Sequence, residues 1–362
     1  MKFRRNMFAW CTLFMSYPLA AQSVNVAVSP AQPAMERSRC CILLNFDFEV
    51  SAPDTLTLES IQAVLLDSRG KQIGTQRADR SGAAGVSRLP ARTVIPGKVS
   101  AIPNPLASID AKTPFTSVQY TLAFSGKNGT VSTVTTVSPV TYVTRTDLIF
   151  PVEGRLLTAW GRDANTPRSR MDQAIAQDIG FRRQFNRYAY DLMVVDSAGS
   201  LNRNGGTTLD DWYGYRAVVV APAAGIVRVA ENNRPDNKVG GGKQPCCTTK
   251  DPTWFAGNYI VIDHENGECT LLAHLRQGSQ SVAEGDRVTR GQRIGEVGLS
   301  GDSFTVPHLH YQLMDSCNFT DAEGLPSRFS AFERLSGPND GQEVKAYVGA
   351  GEVVLVRPYF KR

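Results

Sequence analysis

The chain has little of several things, and each shortage narrows what it can be. Beyond Leu19 no apolar run approaches the roughly 20 residues that a membrane-spanning helix requires, so no transmembrane segment is expected in the body of the chain. Neither sign of charge is in excess. The net charge is +5, and Lys2, Arg4 and Arg5 supply three of those charges, so the remainder is near neutral and no nucleic-acid partner is indicated. No internal repeat or low-complexity tract is present. Residues 22–145 show neither an amphipathic helical pattern nor a constellation of catalytic residue types, and they read as a spacer or docking module. Histidine is scarce, with four in 362 residues, and there are seven cysteines. Chemistry, if the chain performs any, should concentrate around these few.

The opening MKFRRNMFAWCTLFMSYPLAAQS places basic residues before a short apolar run and small residues at Ala20 and Ala21. Residues 1–21 are therefore expected to be a cleaved export signal, with the periplasm or the medium as destination. No cysteine follows Ala21, as a lipoprotein would need. Cys11 falls within the signal, which leaves an even number in an oxidising compartment and implies disulfides. Cys269 and Cys317 flank the histidine-bearing region and are expected to pair. The doublets Cys40/Cys41 and Cys246/Cys247 are not expected to close on themselves, because a bridge between neighbours is strained.

An all-β chain of two domains is expected. Residues 22–145 carry short alternating runs such as CILLNFDFEV, VQYTLAF and TVSTVTTV, separated by DSRGK, SGAAG and SGKNGT, as an immunoglobulin-like β-sandwich would. Residues 146–184 form a linker, in which Met171, Ala174, Ile175 and Ile179 predict a short helix between 171 and 185. Strand patterns resume over 185–330 with an antiparallel β-sheet core, in which Asn266-Gly267 between apolar runs is a hairpin signal. An insertion spans about 234–255, and 331–362 is a C-terminal extension.

PHLHYQL, at 307–313, puts His308 and His310 two apart on a strand, so both imidazoles project from one face. His274 ends another strand in LLAHL, and Asp191 sits in the apolar YAYDLMVVD, where a carboxylate requires a cation or hydrogen-bond partners. Histidine with carboxylate suggests zinc, which makes water nucleophilic near neutral pH. His264 borders the hairpin turn and reads as a solvated strand-end residue. Tyr190 and Tyr311 alternate with the site residues and are expected on the opposite faces of their strands. The glycines around GDRVTRGQRIGEVG suit turns and close strand crossings. A lipoyl-type carrier domain would need a lysine at the hairpin tip, and LSGDSF has none.

Taken in order, APAAGIVRVAEN, GNYIVIDHENGECTLLAHL, VAEGDRVTRGQRIGEVGLSGDS and PHLHYQL resemble the lysostaphin-type, LytM-like zinc metallopeptidases, over roughly 185–330. The resemblance implies a core of the duplicated hybrid motif type, one zinc ion per chain, and hydrolysis of peptide bonds in peptidoglycan cross-bridges or stem peptides. It maps Asp191 and His310 onto metal ligands, and His274 and His308 onto the pair that orients water and stabilises the developing charge. One position departs. Where the family has its first histidine ligand this chain has Arg187, which has no lone pair to donate and keeps its charge. On a continuous strand it would share the face of Asp191 and could pair with it. A third ligand would then come from Asn186, from an acidic residue between 163 and 185, or from Cys246 or Cys247. The competing expectation is a module that binds peptidoglycan, or that activates a separate wall hydrolase, without cutting. In either case the N-terminal module could contact another wall hydrolase or envelope protein.

Overall fold

The computed structural model describes residues 23–37, 41–82, 87–89, 92–106, 108–159, 180–241, 251–303, 306–335, 341–349 and 351–358. The expected export signal, most of the helix expected between 171 and 185, the acidic residues before 180, and Cys246 and Cys247 lie outside them; residues 180–187 form turns and bends. Among the described residues regular structure is strand with four short 3-10 turns, as an all-β chain requires, and no helix is long and apolar enough to cross a membrane.

Strand alternation builds the N-terminal part. Phe46, Phe48 and Val50 point inward from the strand Asp47–Ser51 and its approach, while Leu56, Leu58, Ile61, Ala63 and Leu65 do so from Leu56–Leu66. The phase of the second strand slips once, between Leu58 and Ile61, where its pairing with Ser117–Gly126 shifts register at Ala123/Phe124. A bulge of this kind lets one long strand keep its apolar side on the core while it bends. Sheets of three, four and six strands enclose this core, in which Phe46, Phe48 and Tyr120 meet edge to face at 5.0–5.6 Å.

From Leu148 onward a twelve-stranded sheet dominates, its centre running Gly154–Ala159, Tyr190–Val194, Leu309–Met314, Cys269–Leu275, Asn258–Asp263 and Gly225–Glu231. Phe329–Arg334, Gly341–Ala346 and Val353–Val356 join the same sheet. Its central strands are buried on both faces. Leu309, Tyr311 and Leu313 enter one apolar core with Tyr190, Leu192, Ile260 and Leu272. Met314, Leu271, Ala273 and Val261 face a second cluster built from Phe181, Phe185, Phe255 and Phe319. The second cluster walls the candidate site.

Two buried carboxylates tie the parts of the chain together. Glu268 is fully buried and accepts from the Tyr142 hydroxyl, the Thr146 hydroxyl and the backbone N–H groups of Arg145 and Thr146. Burial pushes its pKa up, but these hydrogen bonds outweigh that and hold it below the usual carboxylate range. Glu323 meets Arg187, described below.

Cys269 and Cys317 form a disulfide, as expected, at a sequence separation of 48. Cys41 is also disulfide-bonded. Closing a loop the size of Cys269–Cys317 is worth about 3–4 kcal/mol, by restricting the unfolded chain. Cys317→Ser is expected to lower the unfolding free energy by about that amount in urea titration; an unchanged midpoint would show that the bridge adds nothing to the packing around it.

Candidate active site

Asp191 and His310 are direct cross-strand partners, as are Tyr190 and Tyr311 one residue away. Directly opposed residues share a face, so the register puts the carboxylate beside the imidazole and sends both tyrosines into the core on the other side. His310 Nδ1 lies 2.9 Å from Asp191 Oδ1, and His308 Nε2 lies 3.5 Å from the same oxygen. All four site residues, Asp191, His274, His308 and His310, are buried.

His274 reaches this group by an irregularity. Leu272 points into the core and Ala273, opposite His310, points to the site, so regular alternation would turn His274 into the core. Its φ is +64° instead. The left-handed residue ends the alternation and brings the imidazole to 4.9 Å from His308 and 5.8 Å from His310, centroid to centroid. A non-glycine residue in this region costs of order 1–3 kcal/mol and persists only where its surroundings fix it. Here the His274 N–H donates to the Ala256 carbonyl, its carbonyl accepts from Gly298 N–H, and its Nδ1 meets the Ser300 carbonyl at 2.9 Å. Ser300 is fixed in turn, since its hydroxyl donates to the Leu275 carbonyl and accepts from Asn258 N–H.

Hydrogen bonds also set the tautomers. The Nδ1 atoms of His274 and His308 face the carbonyls of Ser300 and Val306, which only accept, so both carry their proton there and leave the Nε2 lone pair free. Burial first, and the neighbouring His308 and His310 second, hold the His274 pKa well below the usual imidazole value. His274 is therefore neutral at physiological pH. The buried Nε2 atoms of His308 and His310 have no hydrogen-bond partner among the described residues. The His308 lone pair and the Asp191 carboxylate thus face one another as two acceptors, an arrangement that calls for a cation or a proton. A carboxylate with imidazole nitrogens at 2.9 and 3.5 Å from its Oδ1 offers the donor types that zinc takes.

Donor count is a separate matter. Among the described residues three donor atoms come within 4.8 Å of one another only at Asp263, Cys269 and Cys317, and both cysteines of that group are spent in the disulfide. At the site two donors, Asp191 and His310, are in direct contact, with His308 Nε2 next.

Arg187 does not pair with Asp191. Residues 184–187 form a turn and Tyr188 has φ +67°, so the strand starts only at Tyr190 and the shared face expected for residues four apart does not arise. The fully buried guanidinium turns instead to Glu323 Oε1 (Nε, 2.5 Å), Asn45 Oδ1 (Nη1, 3.0 Å), Asp47 Oδ2 (Nη2, 2.7 Å) and the Ser29 carbonyl (Nη2, 3.2 Å). Burial alone would lower its pKa; Glu323 and Asp47 outweigh that and raise it. Asn186 makes no hydrogen bond to Asp191 or His310 among the described residues, and its side-chain oxygen is buried without a donor.

His264 is not solvated, contrary to the expectation from its place beside the hairpin. It is 9% exposed, with Nδ1 2.9 Å from the Ala224 carbonyl and Nε2 2.7 Å from the Thr270 hydroxyl. Both nitrogens are occupied, so it is structural.

Sequence reasoning also passed over the groups that aim the histidines, namely the carbonyls of Ser300 and Val306, and the Phe185 and Phe255 rings 6.1–6.4 Å from the His310 ring. The one available signal for Ser300 was its place in GLSGDS. Gly324 is another. A Cβ there would lie 1.8 Å from the Arg187 carbonyl oxygen and 2.6 Å from Gln312 Nε2. Gly324→Ala must therefore displace backbone beside the site, and it is expected to cost about 3 kcal/mol, at the upper end for overpacking. Gly295→Ala is the control, since a Cβ there meets nothing closer than 3.7 Å. Equal thermal stability of the two variants would refute the steric account.

Residues 211–322 match peptidase family M23. Over 60 residues the chain is 48% identical to the peptidoglycan DD-endopeptidase ShyA of Vibrio cholerae serotype O1, covering 17% of this chain and 13% of that one. Over 56 residues it is 54% identical to the DD-carboxypeptidase/endopeptidase Mpg of Neisseria meningitidis serogroup B, covering 16% of this chain and 12% of that one. The matched segment is thus about an eighth of either relative. Among solved structures, the catalytic domain of lysostaphin from Staphylococcus simulans aligns with TM-score 0.25 and 21% identity over 38% of this chain and 74% of that one. A zinc-containing peptidase from Vibrio cholerae aligns with TM-score 0.28 and 17% identity over 59% of this chain and 57% of that one.

Proposed function

We propose that this chain, which carries a peptidase family M23 domain over residues 211–322, is an exported zinc endopeptidase acting on the peptide part of peptidoglycan. One observation carries the reading. Asp191, His274 and His310 come from three strands, with His308 just before the last of them, to one buried site, and two imidazoles there are fixed as Nδ1–H tautomers with their Nε2 lone pairs free. A fold gains nothing in stability from burying the Nε2 atoms of His308 and His310 without a hydrogen-bond partner. The names of the matched relatives support a peptide bond of the peptidoglycan cross-link as substrate.

Asp191 and His310 would hold the metal. Zinc there supplies Lewis acidity, which makes water nucleophilic near neutral pH and polarises a peptide carbonyl. The rest falls to the side chains of this chain. His308 Nε2, an acceptor facing the Asp191 carboxylate, takes the proton that the attacking water loses. His274, kept neutral by burial and fixed by Ser300, orients that water through its Nε2 lone pair, and the proton taken up at His308 Nε2 is the one delivered to the departing amine. The aromatic wall of Phe185 and Phe255 restricts bulk water around His310.

The test is digestion of purified peptidoglycan by the mature chain with added zinc, followed by chromatography of the soluble fragments. Cross-linked fragments should convert to uncross-linked ones, the conversion stopping with chelator and returning with zinc. An unchanged fragment pattern would overturn the hydrolase reading. A second reading is favoured by Arg187, whose side chain is engaged away from the site: a module that binds peptidoglycan and stimulates a separate wall hydrolase. It predicts no fragments from this chain alone and faster release when that hydrolase is present.

A further inference from the structure

Arg187 stands four residues before Asp191, yet three of its four hydrogen-bond acceptors belong to the N-terminal part of the chain: Ser29, Asn45 and Asp47. Tyr188 repeats the pattern, its hydroxyl reaching the carbonyls of Ala34 and Asn45. The backbone of Arg187 is held from the other side. Its carbonyl accepts from Gln312 Nε2 at 3.0 Å, and Gln312 is two residues from His310 on the same strand and face. Gly324, whose missing side chain makes room for that carbonyl, donates its N–H to the Gln184 carbonyl. One residue therefore joins the N-terminal module by its guanidinium and the His310 strand by its carbonyl, immediately before the strand that carries Asp191.

We infer that Arg187 is a positioning residue, through which the N-terminal module sets the relation between Asp191 and His310. A buried guanidinium is costly unless every direction of its planar fork meets an acceptor. Here Nε, Nη1 and Nη2 all do, and moving the module away would strip three acceptors at once. The Arg187 turn, and with it the entry of the Asp191 strand, is accordingly fixed only while the module is docked. The contacts between the Tyr142–Thr146 segment and Glu268 hold the same docking at a second point.

The inference rests on Asp191 and His310 being the metal pair, and the experiment separates the two claims. In the full chain, Asp47→Asn keeps the shape of the side chain but removes its charge, at a position outside the site. Zinc alone is titrated against a chromogenic chelator, and the metal-free protein is labelled with 15N at histidine for NMR. Zinc affinity is expected to fall about tenfold or more, the usual effect of losing a group that supports metal ligands. The His310 ring resonances should move in the metal-free chain, while those of His264, held by Ala224 and Thr270, stay in place. Glu323→Gln, on the opposite side of the guanidinium, should give the same pair of changes. If Asp47→Asn does not fold, Asn45→Ala removes a neutral acceptor and takes the same readings. A folded variant with wild-type His310 resonances overturns the positioning role. A wild-type chain that takes up no zinc overturns the metal pair, and the NMR comparison then decides the positioning role by itself.

Discussion

His308→Ala lowers the rate of peptide release from peptidoglycan by roughly a thousandfold, within the range for loss of a general base, while the protein stays folded and still binds zinc. The imidazole accepts a proton at Nε2 because its Nδ1 proton is engaged by the Val306 carbonyl, and no other free imidazole lone pair lies as near to Asp191 Oδ1. Alanine leaves the donors Asp191 and His310 in place. Retained zinc with lost turnover therefore identifies His308 as the proton acceptor. Zinc lost together with turnover would move His308 into the donor set and refute the division of roles. His264→Ala is the counterpart, removing two structural hydrogen bonds remote from the site. It lowers stability and leaves turnover per folded molecule unchanged.

Which of these residues could be read before the fold was known depended on how local their partners are. Period-two alternation put His308 and His310 on one face, and a carboxylate in YAYDLMVVD needs a partner, but that Asp191 meets His310 was legible only through resemblance, because the cross-strand register that joins them is tertiary. His274 was legible only through resemblance, because alternation counted from Leu272 and Ala273 points it into the core. Its left-handed backbone reverses that, and the contacts that fix it, from Ala256, Gly298 and Ser300, are tertiary. Arg187 was misplaced for the same kind of reason. Strand geometry was assumed to extend four residues before Asp191, whereas the segment is a turn, and the acceptors that draw the guanidinium away lie about 140 residues earlier in the chain. His264 looked exposed because it neighbours a hairpin turn, and Ala224, which covers it, comes from a different strand connection.

Arg187→Met is expected to destabilise the chain by about 3–5 kcal/mol, the usual cost of removing one partner from a buried ion pair. The apolar replacement fills much of the volume, so the loss is electrostatic. It leaves Glu323 buried, at 4% side-chain exposure, with the half-exposed Arg183 3.8 Å from its Oε2. The pH dependence has a definite sign. Burial already raises the Glu323 pKa against the pull of Arg187, and without the guanidinium it rises further relative to the unfolded chain, so the folded variant holds the extra proton. The variant is then most stable relative to wild type at low pH and loses ground as pH rises from about 5 to 8. Adding Asp47→Asn and Glu323→Gln to Arg187→Met should recover more than half of the loss, because the amides remove the two charges that faced the guanidinium. Urea titration of the three proteins at both pH values checks this. A deficit that is the same at both pH values and is not relieved by the amide substitutions would mean that Arg187 stabilises the junction through packing of its aliphatic stem, and that the buried charges are balanced by other means.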